Sequence, residues 1–353
     1  MKKKIILFML FFLLITIFGV LFYINYSLNK VSYITQEDEN NIVILEETFD
    51  IEENINSILT EKSEEIYWNN IESDTNKIQK DNITNILLCG EENMSGAIRG
   101  RTDSIILVTI NKEEKTLRMV SFMRDLYVPI EGYKNNKLNA AYAIGGMPLL
   151  VSTIENNFNI KIDGYVLVDF SQFENIINML GGVDIELTQK EVNYLNSSNY
   201  ISDEKSRNLK VGVQRLNGSQ ALGYSRIRHV ATKDGLNNDF GRIWRQKQVL
   251  LSLYEEYKEI SYLEMIDLLP NILETVTTNL TKEELVELGL VVLSMKDSPL
   301  EQTYVPFEGY YSCANVNGMS VLYIENIEEM RIKLEKIING SNMEEVLNTE
   351  YTK

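Results

Sequence analysis

Three short apolar runs constrain this chain more than any other feature of it. Asn85-Ile86-Leu87-Leu88-Cys89-Gly90, Ser104-Ile105-Ile106-Leu107-Val108-Thr109-Ile110 and Leu117-Arg118-Met119-Val120-Ser121-Phe122 have the length of strands and lack the alternation of a sheet with one wet face. Such runs belong to central strands covered on both sides. The period then changes. Residues 139–157 place Ala, Tyr, Ile and Leu on one helical face, residues 164–168 return to a strand, residues 170–180 read as a helix stopped by Gly181-Gly182, and residues 183–187 as a further strand. Strands alternating with helices predict an α/β layered domain with a mainly buried sheet.

Residues 240–257, 262–277 and 281–295 are helical in pattern. Ser261 is a candidate N-cap for the second of these, and Thr281 with Glu284 fits a capping box for the third. After Pro299 two short strand-like runs and a helix over residues 327–338 close the domain, and the last residues read as frayed.

The N-terminus carries a different signal. Lys2-Lys3-Lys4 precedes residues 5–24, an apolar run without a charge and long enough to cross a hydrocarbon core as a helix. The lysines would stay cytoplasmic, which predicts a single-pass cell-membrane protein with its C-terminal domain outside. A cleaved signal peptide is the competing reading, but no small-x-small site follows the run. Residues 27–80 are rich in Glu, Asp and Asn and read as an acidic stalk, with a subdomain packed on the core as the alternative. The formal charge of -17 excludes the extended basic face that nucleic-acid binding uses. Cys89 and Cys313 could pair in an exported protein, yet Cys89 sits in an apolar run and is read as a small buried residue.

Against that acidic background arginines gather in two blocks: Met123-Arg124-Asp125, and Tyr224-Ser225-Arg226-Ile227-Arg228-His229 followed by Asp239-Phe240-Gly241-Arg242-Ile243-Trp244-Arg245-Gln246. Read as extended, the second block puts Arg226 and Arg228 on one strand face, and helical spacing puts Arg242, Arg245 and Gln246 on one helix face. Surface salt bridges would explain such pairs individually. Their apolar neighbours Ile227, Phe240, Ile243 and Trp244 argue for partial burial, where charge needs a partner, and a phosphate or pyrophosphate would serve all of them together. Glu91 and Glu92 follow the first strand and Asp103 precedes the second, so carboxylates at one rim could hold Mg²⁺ with substrate phosphate; equally, Asp103 could cap a turn. His229 is the only histidine, and no nucleophile elbow, zinc helix or Walker loop is present. It is read as a hydrogen-bond donor beside Arg228, not as a base.

The order of motifs resembles the LytR-CpsA-Psr family. The resemblance rests on Arg101-Thr102-Asp103-Ser104, Ser121-Phe122-Met123-Arg124-Asp125, Lys137-Leu138-Asn139-Ala140, Gly181-Gly182-Val183-Asp184, Leu216-Asn217-Gly218-Ser219-Gln220-Ala221-Leu222 and the two arginine blocks. It implies a three-layer α/β/α domain with a central mixed sheet, preceded by one transmembrane helix. The chain then divides into residues 1–26 (lysines and anchor), 27–80 (stalk), 81–260 (catalytic core) and 261–353 (completing helices and strands).

The resemblance further implies a phosphotransferase that moves a glycopolymer, such as teichoic acid or capsule, from undecaprenyl pyrophosphate to a peptidoglycan hydroxyl and releases undecaprenyl phosphate. Asp103 becomes a Mg²⁺ ligand, joined by Glu92 where the family often carries Asp. Arg101, Arg124, Arg226, Arg228, Arg242 and Arg245 become phosphate contacts assisted by Gln246, with Asp125 or Asp239 taking the acceptor proton. The sugar would meet exposed loops such as residues 193–208. A polyprenyl pyrophosphate hydrolase, or a non-catalytic surface lipid-binding or regulatory protein, are the rival readings.

Overall fold

The computed structural model describes residues 32–33, 80, 82–92 and 99–348. In chain order its first half comprises β1 (Ser32–Tyr33), β2 (Ile83–Glu92), β3 (Arg101–Asn111), β4 (Thr116–Phe122), β5 (Tyr127–Val128), β6 (Asn136–Lys137), α1 (Leu138–Phe158), β7 (Gly164–Asp169), α2 (Phe170–Met179), β8 (Val183–Leu187), α3 (Gln189–Ser197) and β9 (Gly212–Leu216). The second half comprises α4 (Gly218–Arg226), α5 (Asn238–Glu259), α6 (Tyr262–Leu273), β10 (Thr277–Thr278), α7 (Lys282–Ser294), β11 (Leu300–Val305), β12 (Tyr311–Val316), β13 (Met319–Ile324), α8 (Ile327–Ile338) and α9 (Met343–Asn348).

The predicted mixed α/β fold is present. Seven strands form one sheet in the order β1-β10-β7-β2-β3-β4-β11, with β2 parallel to β7, β11 parallel to β4, and β3 antiparallel to both its neighbours. This register gathers the C-terminal ends of β2, β4, β7 and β11 and the start of β3 at one rim. Ligands of open α/β sheets bind at such a rim.

The two faces of the sheet differ in how completely they are covered. Leu87, Leu107 and Val120, each 0% exposed, join Leu150 and Ile154 of α1 and Leu334 and Ile337 of α8 in the main core. Each such side chain contributes about 1.5–3 kcal/mol by burial. On the other face Ile110, Leu117 and Leu300 meet Tyr254 of α5 and Val291 and Val292 of α7. Nearer the rim, Leu88, Met119, Val166 and Val168 alternate with main-core residues and so point to this second face, where they stay half-buried. Apolar side chains in the middle of a sheet are covered when helices pack down fully. Here the cover over these four side chains is incomplete.

Val183–Leu187 is the further strand expected, and it stands outside the main sheet: Val183, Ile185 and Leu187 are buried while Asp184 and Glu186 are exposed, and the strand pairs with β9 in a ribbon over a separate small core with α3 and α4. Several expectations need correction. Residues 224–229 are not extended. Asn217 and Gln220 form a capping box that starts α4, which runs through Arg226. The helix expected over residues 262–277 stops at Leu273, and Thr277–Thr278 instead pairs with β7 and β1. Three strands follow Pro299 rather than two, and Met343–Asn348 is a helix where fraying was expected. The predicted capping box of Thr281 and Glu284 is present. Cys89 is buried, Cys313 is exposed and both are free. The anchor at residues 5–24 lies outside the described residues, as does the stalk apart from β1 and Lys80; among the described residues no helix is long and apolar enough to cross a membrane.

Candidate active site

Where the apolar strands end, charged residues begin. The β2–β3 ladder pairs Gly90 with Ser104 but Glu91 with Thr102, so Asp103 is an extra residue in β3. A bulge of this kind re-aims a side chain. Asp103 ion-pairs with Arg124, which follows β4, and lies 3.4 Å from Nη1 of Arg242 in α5. Asp239, in the first turn of α5, accepts from Arg242 Nη2 at 3.0 Å and from Arg228 Nη2, and lies 3.4 Å from Arg124 Nε. Asp125 accepts from Lys137 Nζ at 2.7 Å, and Glu92 from Arg226 Nη2 at 2.9 Å. Five cations and four carboxylates from β2, β3, β6, α4, α5 and two loops thus meet at one rim.

Burial and neighbouring carboxylates pull in opposite directions on two of these arginines. Burial alone would lower the Arg124 guanidinium, but Asp103, Asp239 and Asp125 outweigh it and keep its pKa above the ordinary value. Arg242, 2% exposed, is lowered by burial against the pull of Asp239 and Asp103. It remains a cation because a guanidinium starts so high. The carboxylates do not saturate the arginines. Arg242 Nε and Nη1, Arg228 Nε and Arg124 Nε are buried without a hydrogen-bond acceptor among the described residues. Buried donors left this way call for a ligand, water or ion. Four of them on three neighbouring arginines suit a multiply charged oxyanion.

Not every predicted residue joins the cluster. Arg245 is 0% exposed and donates to Glu191, itself 1% exposed, at 2.8 Å, and to the carbonyls of Ile227 and Val230 at 3.1 and 2.8 Å. It braces the segment that carries Arg228 instead of facing the rim. Gln246 is half-buried one turn beyond Arg242, Arg101 is exposed at the start of β3, and His229 is exposed with no hydrogen-bond partner among the described residues. Glu91 accepts the Gly100 N–H at 2.8 Å within the β2–β3 turn, and its negative charge, after burial, helps raise the Tyr142 hydroxyl of α1. Lys137 was not singled out from the sequence as a site residue; its place in the Lys137-Leu138-Asn139-Ala140 motif was the available signal.

Among the described residues no group of three or more His, Cys, Asp or Glu side chains could hold a metal ion. A cation here would rest on one or two carboxylates and complete its shell with phosphate oxygens and water, which is the habit of Mg²⁺. A cavity of about 270 Å³ lies elsewhere, between β8 and α5, lined in part by Tyr224, Trp244 and Gln248. The ion pair Lys233–Glu186 and the Glu256 carboxylate, itself paired with Arg215, belong to its walls, and it holds none of the rim arginines.

An α/β sheet whose strand ends present partly unsatisfied arginines beside carboxylates is the arrangement that the sequence motifs imply. The chain belongs to the LytR_cpsA_psr family, whose model matches residues 47–336. It is 32% identical over 261 residues to the regulatory protein MsrR of Staphylococcus aureus (strain COL), covering 72% of this chain and 75% of that protein. It is 38% identical over 172 residues to the polyisoprenyl-teichoic acid–peptidoglycan teichoic acid transferase TagV of Bacillus subtilis (strain 168), covering 48% of this chain and 42% of TagV. Among solved structures it resembles the LytR-CPS2A-psr family protein YwtF (TagT) of Bacillus subtilis with bound octaprenyl pyrophosphate lipid, with a TM-score of 0.54, 26% identity, and coverage of 75% of this chain and 95% of that one.

Proposed function

We propose that this chain is a membrane-anchored phosphotransferase that moves a glycopolymer from undecaprenyl pyrophosphate to a peptidoglycan hydroxyl and releases undecaprenyl phosphate. The observation that carries the reading is the set of unsatisfied guanidinium donors on Arg124, Arg228 and Arg242. Support comes from the half-buried apolar face beside them, against which an isoprenoid tail would lie, and from relatives that carry a teichoic acid transferase name or a bound polyprenyl pyrophosphate. Residues 5–24 would keep the enzyme on the surface where its lipid substrate lies.

In the transfer the acceptor hydroxyl oxygen bonds to the sugar-linked phosphorus, the bond from that phosphorus to the bridging oxygen breaks, and the lipid leaves as its phosphate. Charge grows on the equatorial and bridging oxygens, and fixed guanidinium groups stabilise it without reorganising. Of the two candidate bases, Asp239 has three guanidinium neighbours, whereas Asp125 has Lys137 and a more distant Arg124 at 3.8 Å. Asp125, engaged by fewer guanidinium groups, is the candidate to meet the acceptor hydroxyl, and Asp239 is the organiser of the arginines. Asp103 and Glu92 would hold Mg²⁺, which when bound supplies further charge neutralisation on the pyrophosphate.

The test is Arg228→Ala in the full chain, with folding checked by thermal melting. Transfer of polymer to wall acceptor should fall about 10²–10³-fold. Full activity in a folded variant would refute the arginine cluster as the reacting site, and lipid pyrophosphate cleaved without polymer reaching the wall would point to the hydrolase.

A further inference from the structure

The rim arginines are fixed in two different ways. Arg124, Arg228 and Arg242 are held by carboxylates. Arg226 is held by rings. Its Cζ lies 4.5 Å from the ring centroid of Phe170 and 5.4 Å from that of Tyr200, and the one carboxylate ion-paired with it among the described residues is Glu92, whose side chain is 36% exposed.

The rings arrive from separate elements. Phe170 opens α2 at the carboxyl end of β7. Its approach to Arg226 follows from close packing of α4 on α2, since a Cβ on Gly218 would fall 2.1 Å from the Glu174 carbonyl oxygen. Tyr200 comes from the loop after α3, and that loop is built stiff. Arg207 Nε and Nη2 both donate to the carbonyl of Ile201, which is 0% exposed. The Tyr200 ring stands edge-on to Tyr194 with centroids 5.2 Å apart. Burial first, and then the neighbouring Tyr200 hydroxyl, push the Tyr194 hydroxyl up to about 12.

We infer that Phe170 and Tyr200 are positioning residues for Arg226, an aromatic clamp that presents the guanidinium edge to a phosphate oxygen of the lipid-linked substrate without neutralising its charge. A carboxylate fixes an arginine by cancelling its charge, whereas an aromatic face attracts the cation and leaves its N–H edge available. Long side chains lose rotamer freedom when they bind, and a pre-held guanidinium loses less. Glu92 is the exchangeable partner, because a half-exposed ion pair is worth little and an incoming phosphate can displace it. The inference rests on the proposed function in one respect only, that the ligand is a pyrophosphate lipid.

The test measures binding of octaprenyl pyrophosphate to the full chain in detergent for wild type, Tyr200→Phe, Tyr200→Ala, Phe170→Leu, Arg226→Ala and the Tyr200→Ala/Arg226→Ala double variant, with a melting curve for each. Tyr200→Phe keeps the ring and should bind like wild type. Tyr200→Ala and Phe170→Leu should each bind roughly three- to thirty-fold more weakly. In the Arg226→Ala background Tyr200→Ala should cost nothing further, because the residue acts through that arginine. Unchanged binding in both single ring variants, or the same fold-loss with and without Arg226, would overturn the clamp. A wild-type chain that fails to bind the probe would refute the proposed function itself, a different outcome from a wild type that binds and ring variants that are silent.

Discussion

Arg245 offers the sharpest separation between holding the fold and holding the ligand. Replacing it by Met removes three donated hydrogen bonds, to Glu191 and to the carbonyls of Ile227 and Val230, from a site where both ionic partners are 1% exposed or less. Breaking a buried ion pair from one side costs about 3–5 kcal/mol. Glu191 keeps the N–H and hydroxyl of Thr188 at 2.9 and 2.8 Å, so the loss belongs at the lower end, about 3 kcal/mol. At roughly 2–4 °C per kcal/mol for a domain of this size, the melting temperature should fall roughly 6–12 °C. Replacing Glu191 and Arg245 together by apolar residues should recover part of that loss. Thermal unfolding followed by circular dichroism gives the first number, and octaprenyl pyrophosphate binding well below the lowered midpoint gives the second. Arg245→Met should lose stability yet bind the lipid within a few-fold of wild type. An unchanged melting temperature with binding abolished would show that the buried pair does not hold Arg245 and that it contacts the ligand after all.

Other perturbations separate the remaining roles. Asp125→Asn should abolish transfer while lipid binding persists; Asp239→Asn, which releases Arg228 and Arg242, should lose both, and equal binding by the two variants would contradict the division of labour. Asp103→Asn should raise the Mg²⁺ concentration for half-maximal transfer about tenfold or more, and an unaltered metal response would remove Asp103 from that role. Lys247 reaches the Gln302 carbonyl at 3.4 Å and no carboxylate among the described residues, and burial lowers its pKa. The unfolded chain therefore holds this proton to higher pH than the folded one, so stability rises as pH climbs from the lowered value toward the ordinary 10.5. Lys247→Met should melt higher at neutral pH and lose that alkaline rise; identical curves would refute the penalty.

The sheet was legible because its central strands turn apolar side chains to both faces, which leaves continuous apolar runs such as residues 86–89 and 105–108. Strand β10 was not, since the two residues Thr277–Thr278 carry no period. The extended reading of residues 224–229 failed for a different reason. Alternation in Arg226-Ile227-Arg228 also fits a helix end followed by a turn, and the deciding signal, Asn217 with Gln220, lay several residues upstream.

The arginine cluster was visible as chemistry, but its membership depended on rotation about α5. At about 100° per residue Arg245 stands about 60° to one side of Arg242 and Gln246 about 40° to the other, enough to turn Arg245 toward Glu191. Glu191 is a partner 54 positions away that no local pattern announces. The aim of Asp103 was equally hidden, because a bulge is a property of strand register and not of one strand's sequence.

The most direct test of the account is the structure of the full chain with a polyprenyl pyrophosphate bound. Its phosphate oxygens should lie within hydrogen-bond distance of the donors that now lack acceptors, Arg242 Nε and Nη1, Arg228 Nε and Arg124 Nε, with the tail against Leu88, Met119, Val166 and Val168. A pyrophosphate seated elsewhere, for instance in the cavity beside Trp244, with those four donors untouched, would contradict it.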